Sequence, residues 1–249
     1  MYKTLSEAAE LLRKSTYTTA FSGAGISVES GIPPFRGETG LWSKYDPVVL
    51  DIDYFHNNPE ASWKVIREIF YDFFGKAQPN EAHIVLAIME QAGLLKNIIT
   101  QNIDNLHQEA GSREVYEFHG SSRELVCIDC GKHHAVHEID LDTLPVSCVA
   151  CGGLVKPDFI FFGEGIPPGA YQKSVEAAQK ADVFLVIGTT GEIMPASQIP
   201  LMAKSNGAKI IEVNIEPSHY TYNITDVFLQ GKATEVMKAL ARELGIDLL

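Results

Sequence analysis

Five short apolar runs, each ending in glycine or a small polar group, constrain this chain more than any other feature. Thr18–Phe21 runs into Ser22-Gly23-Ala24-Gly25, and Leu95–Thr100 into Gln101-Asn102-Ile103-Asp104. Val183–Ile187 runs into Gly188-Thr189-Thr190, Lys209–Val213 into Asn214-Ile215-Glu216, and Val227–Leu229 into Gln230-Gly231-Lys232. Continuous apolar runs of this kind mark strands covered on both faces, as in parallel sheets. Helical stretches lie between them, at roughly 81–92, 168–180, 195–206 and 233–244. The alternation predicts an α/β fold built on a doubly wound parallel sheet. Ligands of such sheets bind beyond the carboxyl ends of the strands, so the polar endings are expected to converge on one rim.

The first ending is the richest. Gly23 to Gly37 reads GAGISVESGIPPFRG. Gly23 and Gly25 permit a sharp turn and a close approach to a ligand, since neither has a Cβ. A helix starting there would direct free N–H groups and the positive end of its dipole at a diphosphate. Val28 stands where the strict dinucleotide fingerprint has its third glycine, so that motif is not met. Pro33-Pro34 stops the helix and leaves Phe35 and Arg36 on a loop, where a ring and a guanidinium suit a ligand with a base and phosphates.

The formal net charge of −12 argues against nucleic acid as a direct partner, because phosphate binding needs a basic surface. No run of eighteen apolar residues is present, so no membrane span is expected. The first fifteen residues have no apolar centre of the secretory kind. They read as an amphipathic helix, with Thr4 and Glu7 as a capping box and Leu5, Ala8, Leu11 and Leu12 on one face. A cytoplasmic location and a monomeric state are the expectation.

Two segments break the alternation. Segment 38–80 is rich in aromatic residues, with Trp63, Ile66, Phe70 and Phe73 at helical spacing, and reads as a small helical insert with its own core. Segment 121–155 holds all four cysteines as two C-x-x-C pairs, Cys127/Cys130 and Cys148/Cys151, with seventeen residues between them. This is the spacing of a four-thiolate zinc site, closed and therefore structural. His133, His134 and His137 follow closely and are expected at the surface.

Chemistry concentrates at two further places. Gln101-Asn102-Ile103-Asp104-Asn105-Leu106-His107 is dense in amides and acid just after a strand. Amides can hold hydroxyls, and Asp104 can accept from a carboxamide N–H. Glu117-Phe118-His119-Gly120 sets a histidine just before the cysteine segment, and histidine is the usual general base near neutral pH. His107 reads as a structural histidine.

Taken in order, GAGISVESGIPPFRG, TQNIDNLH, FHG, the paired C-x-x-C and KPDFIFFGE resemble the sirtuins of bacterial and archaeal type, NAD-dependent protein-lysine deacylases. The likeness extends from about Ala9 to Leu240. It implies a Rossmann-type NAD-binding domain formed by 1–37, 81–120 and 156–249, and a small domain formed by the helical insert 38–80 and the zinc-binding insert 121–155. It implies that Gly23, Ala24, Gly25, Phe35, Arg36, Gln101, Ile103 and Asp104 surround NAD, with Ile103 and Asp104 on the nicotinamide amide. Asn102 would order the ribose, and Gly188, Thr189, Thr190, Asn214, Ile215 and Ala233 would carry the adenosine half. His119 would be the base. Phe159, Ile160 and Phe162 would line an acyl-lysine tunnel, with Gly163 and Glu164 pairing to an acetylated peptide as an added strand. The implied products are free lysine, nicotinamide and an O-acyl-ADP-ribose. Protein mono-ADP-ribosylation is the alternative outcome.

The chain departs from the family in two places. Gly191 and Glu192 follow Gly188-Thr189-Thr190 where the family often has leucine, which bears on peptide choice. Members that remove acidic acyl groups carry a tyrosine and, three residues on, an arginine. Here Tyr71 is followed by Phe74, so acetyl or longer apolar acyl groups are expected.

Overall fold

The computed structural model describes residues 2–35, 37 and 40–247. The chain begins with α1 (Tyr2–Lys14), β1 (Thr18–Ser22) and a 3₁₀ turn over Ala24–Ser30. Helices α2 (Ile52–Asn57) and α3 (Pro59–Ile66) follow, the second running into a π-helical turn over Arg67–Phe73. Then come α4 (Glu81–Gln91), β2 (Asn97–Thr100), α5 (Leu106–Glu109), β3 (Val115–Glu117), β4 (Gly120–Cys127), β5 (His133–Ala135) and β6 (Val155–Phe159). The last third is α6 (Pro168–Lys180), β7 (Val183–Ile187), α7 (Gln198–Ser205), β8 (Lys209–Asn214), β9 (Val227–Gln230) and α8 (Ala233–Leu244).

Six strands form a parallel sheet in the order β3-β2-β1-β7-β8-β9. The buried runs of β1 and β7 explain their central position, since every residue of both is out of solvent. Leu5, Ala8 and Leu12 of α1, Leu86 and Met89 of α4, and Met237 and Leu240 of α8 cover one face of the sheet. Ala177 and Ala178 of α6 and Ile199 and Ala203 of α7 cover the other, against Phe21 and Phe184. The chain goes from β1 outward to β2 and β3, then returns to the other side of β1 with β7. The order therefore reverses between β1 and β7, the point at which sheets of this kind bind ligands beyond the carboxyl ends of their strands.

Two local expectations are corrected. The apolar runs announce five strands, whereas the sheet has six. The extra strand, Val115–Glu117, is a three-residue edge strand with all residues half-buried, too short for a readable run. The helix α1 starts at Tyr2, so Thr4, expected to cap it, lies inside its first turn.

A second, antiparallel sheet has the order β5-β4-β6. Its strand β6 runs to Phe159, past residue 155 where the cysteine segment is expected to end. Trp63 of α3 is fully buried and donates from Nε1 to the Val155 carbonyl at 2.8 Å, which ties the helical segment to this sheet. Phe55, Trp63, Ile66 and Phe70 from the helical segment share one core with Leu125, Val146, Val155 and Phe159.

Candidate active site

The reversal point is built by backbone contact between two strand ends. Gly23 N–H donates to the Ile187 carbonyl at 3.0 Å, and Gly25 N–H donates to the Gly188 carbonyl at 2.8 Å. A Cβ on Gly25 would lie 2.6 Å from Gly188 Cα, and one on Gly23 would lie 2.8 Å from the Gly188 oxygen. The close approach expected toward a ligand is thus first an approach to Gly188. The segment after Gly23 is also a 3₁₀ turn and not an α-helix. With Gly25 N–H on Gly188 and Ile26 N–H on the Gly23 carbonyl at 3.1 Å, fewer N–H groups remain than a free helix end would offer.

Beneath this turn lies a polar network. Asn102, nearly out of solvent, donates from Nδ2 to Ser27 Oγ at 3.1 Å, and Ser27 Oγ donates to Asp104 Oδ2 at 2.6 Å. Burial raises the Asp104 pKa, opposed by the bonds from Ser27 and from Leu106 N–H. His83 sits 3.4 Å from Ser27 Oγ, with its ring 5.0 Å from that of His107. Asn80 N–H donates to His83 Nδ1 at 3.3 Å, so His83 Nε2 carries the proton and points it at Ser27. Burial lowers the pKa of His83 to about 4 and holds His107 well below its ordinary range. His107 Nε2 meets Ser22 Oγ at 2.8 Å, in keeping with a structural role. Ser27 and His83 escaped the sequence reading. Ser27 lies within the glycine stretch itself, whereas His83 lies on a helix far along the chain and left no local signal.

Only Phe118 and His119 separate β3 of the large sheet from β4 of the small one. His119 Nδ1 lies 3.0 Å from the Gln101 carbonyl. A carbonyl only accepts, so Nδ1 holds the proton and Nε2 keeps its lone pair. Burial lowers the His119 pKa, with the Gln101 bond pulling the other way, so the ring is neutral at pH 7. The His119 carbonyl accepts from Ile160 N–H at 2.9 Å. Gly120 has φ 77°, and a Cβ there would meet the Asp158 oxygen at 2.3 Å, so glycine is required where β6 crosses.

Gln101 Nε2 donates to Thr189 Oγ1 at 3.1 Å, and Asn214 Nδ2 donates to the Thr189 carbonyl at 3.0 Å, so three strand ends are laced along one rim. The Thr190 carbonyl accepts from His219 N–H. Ile103 is buried, Ile215 is exposed, and Ala233 is buried at the start of α8. Ala24 opens the 3₁₀ turn. Phe35 packs 5.5 Å from the Trp42 ring, and Trp42 lies 6.4 Å from Phe162. Trp42, one of the aromatic residues of segment 38–80, thus joins the Phe35 loop to the Phe162 loop. Arg36 lies outside the described residues.

Phe159 is buried, 4.9 Å from Phe70; Ile160 is half-buried; and Phe162 is half-exposed beside Gly163. Glu164 N–H already donates to the Phe161 carbonyl at 3.0 Å and its Oε2 accepts from Phe161 N–H at 2.6 Å. Of that residue, only the carbonyl remains for pairing with an added strand. Gly191, at φ 75°, lies against Tyr220, whose ring carbons would be 2.8 Å from a Cβ there. This contact accounts for glycine at that position.

The four cysteine sulfurs lie within 4.8 Å of one another, with Cys127–Cys151 at 3.6 Å and Cys130–Cys148 at 3.8 Å. Bonds of about 2.3 Å to a tetrahedral zinc place sulfurs about 3.8 Å apart, so the set fits the ion. Ala150 N–H donates to Cys148 Sγ and Gly153 N–H to Cys151 Sγ, both at 3.4 Å. His133 and His137 are exposed as expected, but His134 is not. Strand alternation turns it inward, 3.2 Å from Cys148 Sγ, where its ring nitrogen supports a sulfur ligand.

Residues 23–195 match the model of the Sir2 family. An NAD-dependent protein deacylase 2 of Pyrobaculum aerophilum is 43% identical over 239 residues, 94% of each chain. A solved Sir2 structure with a p53 peptide and NAD+ superposes with a TM-score of 0.90 at 35% identity, covering 97% of this chain and 98% of that one. Another, a Sir2 variant with a deacetylated p53 peptide and 3′-O-acetyl ADP ribose, superposes with a TM-score of 0.92 at 35% identity, covering 98% and 99%.

Proposed function

The chain belongs to the Sir2 family, and from that premise we propose that it removes acetyl and other apolar acyl groups from protein lysines at the expense of NAD. The observation that carries this reading is His119, whose Nδ1–H is spent on the Gln101 carbonyl and whose Nε2 is free to accept. In this reading His119 Nε2 takes a proton from a ribose hydroxyl, and Asn102, fixed by Ser27, orders that ribose. Ile103 and Asp104 hold the nicotinamide amide, and Gly23, Ala24, Gly25, Phe35, Arg36 and Gln101 surround the rest of that half. Gly188, Thr189, Thr190, Asn214, Ile215 and Ala233 take the adenosine half. Ile160 and Phe162 keep water from the acyl-lysine, with Phe159 packed behind them. Phe74, buried against Phe70, offers no charge to an acyl carboxylate.

NAD is a co-substrate, supplying a ribosyl bond with a good leaving group. The four cysteines would hold zinc through four thiolates, which leaves no position for substrate and makes its part structural. The division into an NAD-binding domain and a small domain belongs to the same reading, with the small sheet extended to Phe159. So do a monomeric state, a cytoplasmic location and the absence of nucleic-acid partners. Among the described residues, no helix is long and apolar enough to cross a membrane.

The test is incubation with NAD and an acetyl-lysine peptide, following peptide mass and free nicotinamide. Loss of the acetyl mass in step with nicotinamide release is expected. Nicotinamide release with a mass gain on a protein acceptor and no deacetylation overturns the reading in favour of ADP-ribosylation.

A further inference from the structure

Lys156 is nearly out of solvent, at 5% exposure, on the strand that leads to the candidate acyl-lysine residues. A buried ammonium needs all its protons satisfied. Lys156 Nζ donates to the Pro157 carbonyl at 2.9 Å, to the Phe159 carbonyl at 2.9 Å and to Glu164 Oε2 at 3.1 Å. It also lies 4.7 Å above the Phe161 ring. Glu164 Oε2 in turn accepts from Phe161 N–H. One side chain therefore clamps both ends of the segment from Pro157 to Glu164.

The middle of that segment reaches the base. Ile160 N–H donates to the His119 carbonyl at 2.9 Å, and β6 passes so close to Gly120 that no Cβ fits between them. On the far side, Phe162 N–H donates to the Leu50 carbonyl at 2.8 Å and Ile52 N–H to the Phe162 carbonyl at 3.0 Å. The segment is a bridge from His119 to the helical segment, and its inner span between these hydrogen bonds is fixed by the Lys156–Glu164 pair.

We propose that Lys156 is a positioning residue for deacylation, acting with Glu164 to hold Ile160 and Phe162 in register with His119. The inference rests on the deacylase reading and extends it. It also assigns the Glu164 carboxylate an inward, structural task, so that charge does not select peptides.

The test compares Lys156→Met, Glu164→Gln and the double variant with the unaltered protein. Thermal unfolding and zinc content are measured alongside. Loss of register by an ångström costs rate steeply, so Lys156→Met is expected to lower kcat/KM for an acetyl-lysine peptide by about tenfold or more, with NAD affinity within about twofold. The double variant is expected to be no worse than Lys156→Met, since the two groups act as one unit. A folded Lys156→Met protein with unchanged kcat/KM, or with NAD affinity reduced as much as peptide turnover, overturns the proposal. If Lys156→Met does not fold, Glu164→Gln decides by hydrogen exchange. Faster exchange of the Ile160 and Phe161 amides with unchanged β7 amides, together with lowered peptide turnover, supports it, and unchanged exchange overturns it. An unaltered protein that never deacylates removes the parent reading as well, whereas active protein with indifferent variants removes this inference alone.

Discussion

The two sheets of this molecule are stabilised in different ways. The parallel sheet is sandwiched between helices, with Leu185 and Ile211 facing one apolar cluster and Phe184 and Ile210 facing the other. Burial on both faces makes it self-sufficient. The antiparallel sheet has three strands, and β4 alternates between buried and exposed residues over part of its length. Its cohesion comes from aromatic residues of the helical segment and from four sulfurs packed for one ion. His119, the base in the proposed reading, sits on the two-residue link between these sheets. In that reading the NAD side rests on backbone contacts such as Gly25 to Gly188, and the acyl side on the core that the small sheet shares with the helical segment.

The sharpest way to break this comparison is at the link. His119→Ala is expected to lower deacylation by about 10²- to 10⁴-fold, with NAD affinity, zinc content and unfolding temperature retained. A variant that keeps its rate would remove His119 from the chemistry. Next in size, Cys148→Ser is expected to cost about 3 to 5 kcal/mol in stability through loss of the metal. Hydrogen exchange should then rise at Trp63 and Val155 while the β7 amides stay protected. A soluble, zinc-free, fully active protein would mean that the small sheet needs no ion. Gly25→Ala makes the converse cut. Its Cβ falls 2.6 Å from Gly188 Cα, so a loss of about 1 to 3 kcal/mol and weaker NAD binding are expected, with zinc content unchanged. Calorimetric titration with NAD checks this.

The pH dependence separates the halves more gently. His83 has a folded pKa of about 4 against an ordinary 6.5. The unfolded chain therefore binds the extra proton between these values, and stability present above pH 6.5 is lost as the pH falls toward 4. The loss amounts to roughly 3 kcal/mol when complete, and His83→Asn is expected to flatten that slope in thermal melts. The rate should report His119 separately. With its pKa lowered by burial in the free protein, the acid limb of kcat/KM is expected to have its midpoint below the ordinary histidine value. A midpoint above it would contradict the buried, neutral imidazole.

Much of this arrangement is legible locally. The apolar runs of β1 and β7 are short and uninterrupted, and their polar endings sit where a parallel sheet exposes its rim. The C-x-x-C pairs carry their meaning in spacing alone, because a turn of two residues aims both sulfurs at one point. Other features leave no such trace. Strand β3 is three residues long and half-buried, so its place follows from pairing with β2. His134 looks like its exposed neighbours His133 and His137 until strand alternation turns it toward Cys148.

By itself, the sequence determined the α/β class, five of the strands that carry the rim, the cysteine set spaced for zinc and the residue types gathered at each strand end. These depend on periodicity and short spacings, which a linear chain records directly. Only the tertiary structure decided that Gly25 makes room for Gly188, that His83 backs Ser27, that Trp42 joins Phe35 to Phe162, and that Lys156 clamps the strand beside His119. Each is a contact between residues far apart in the chain, and such contacts exist only once packing has brought their elements together.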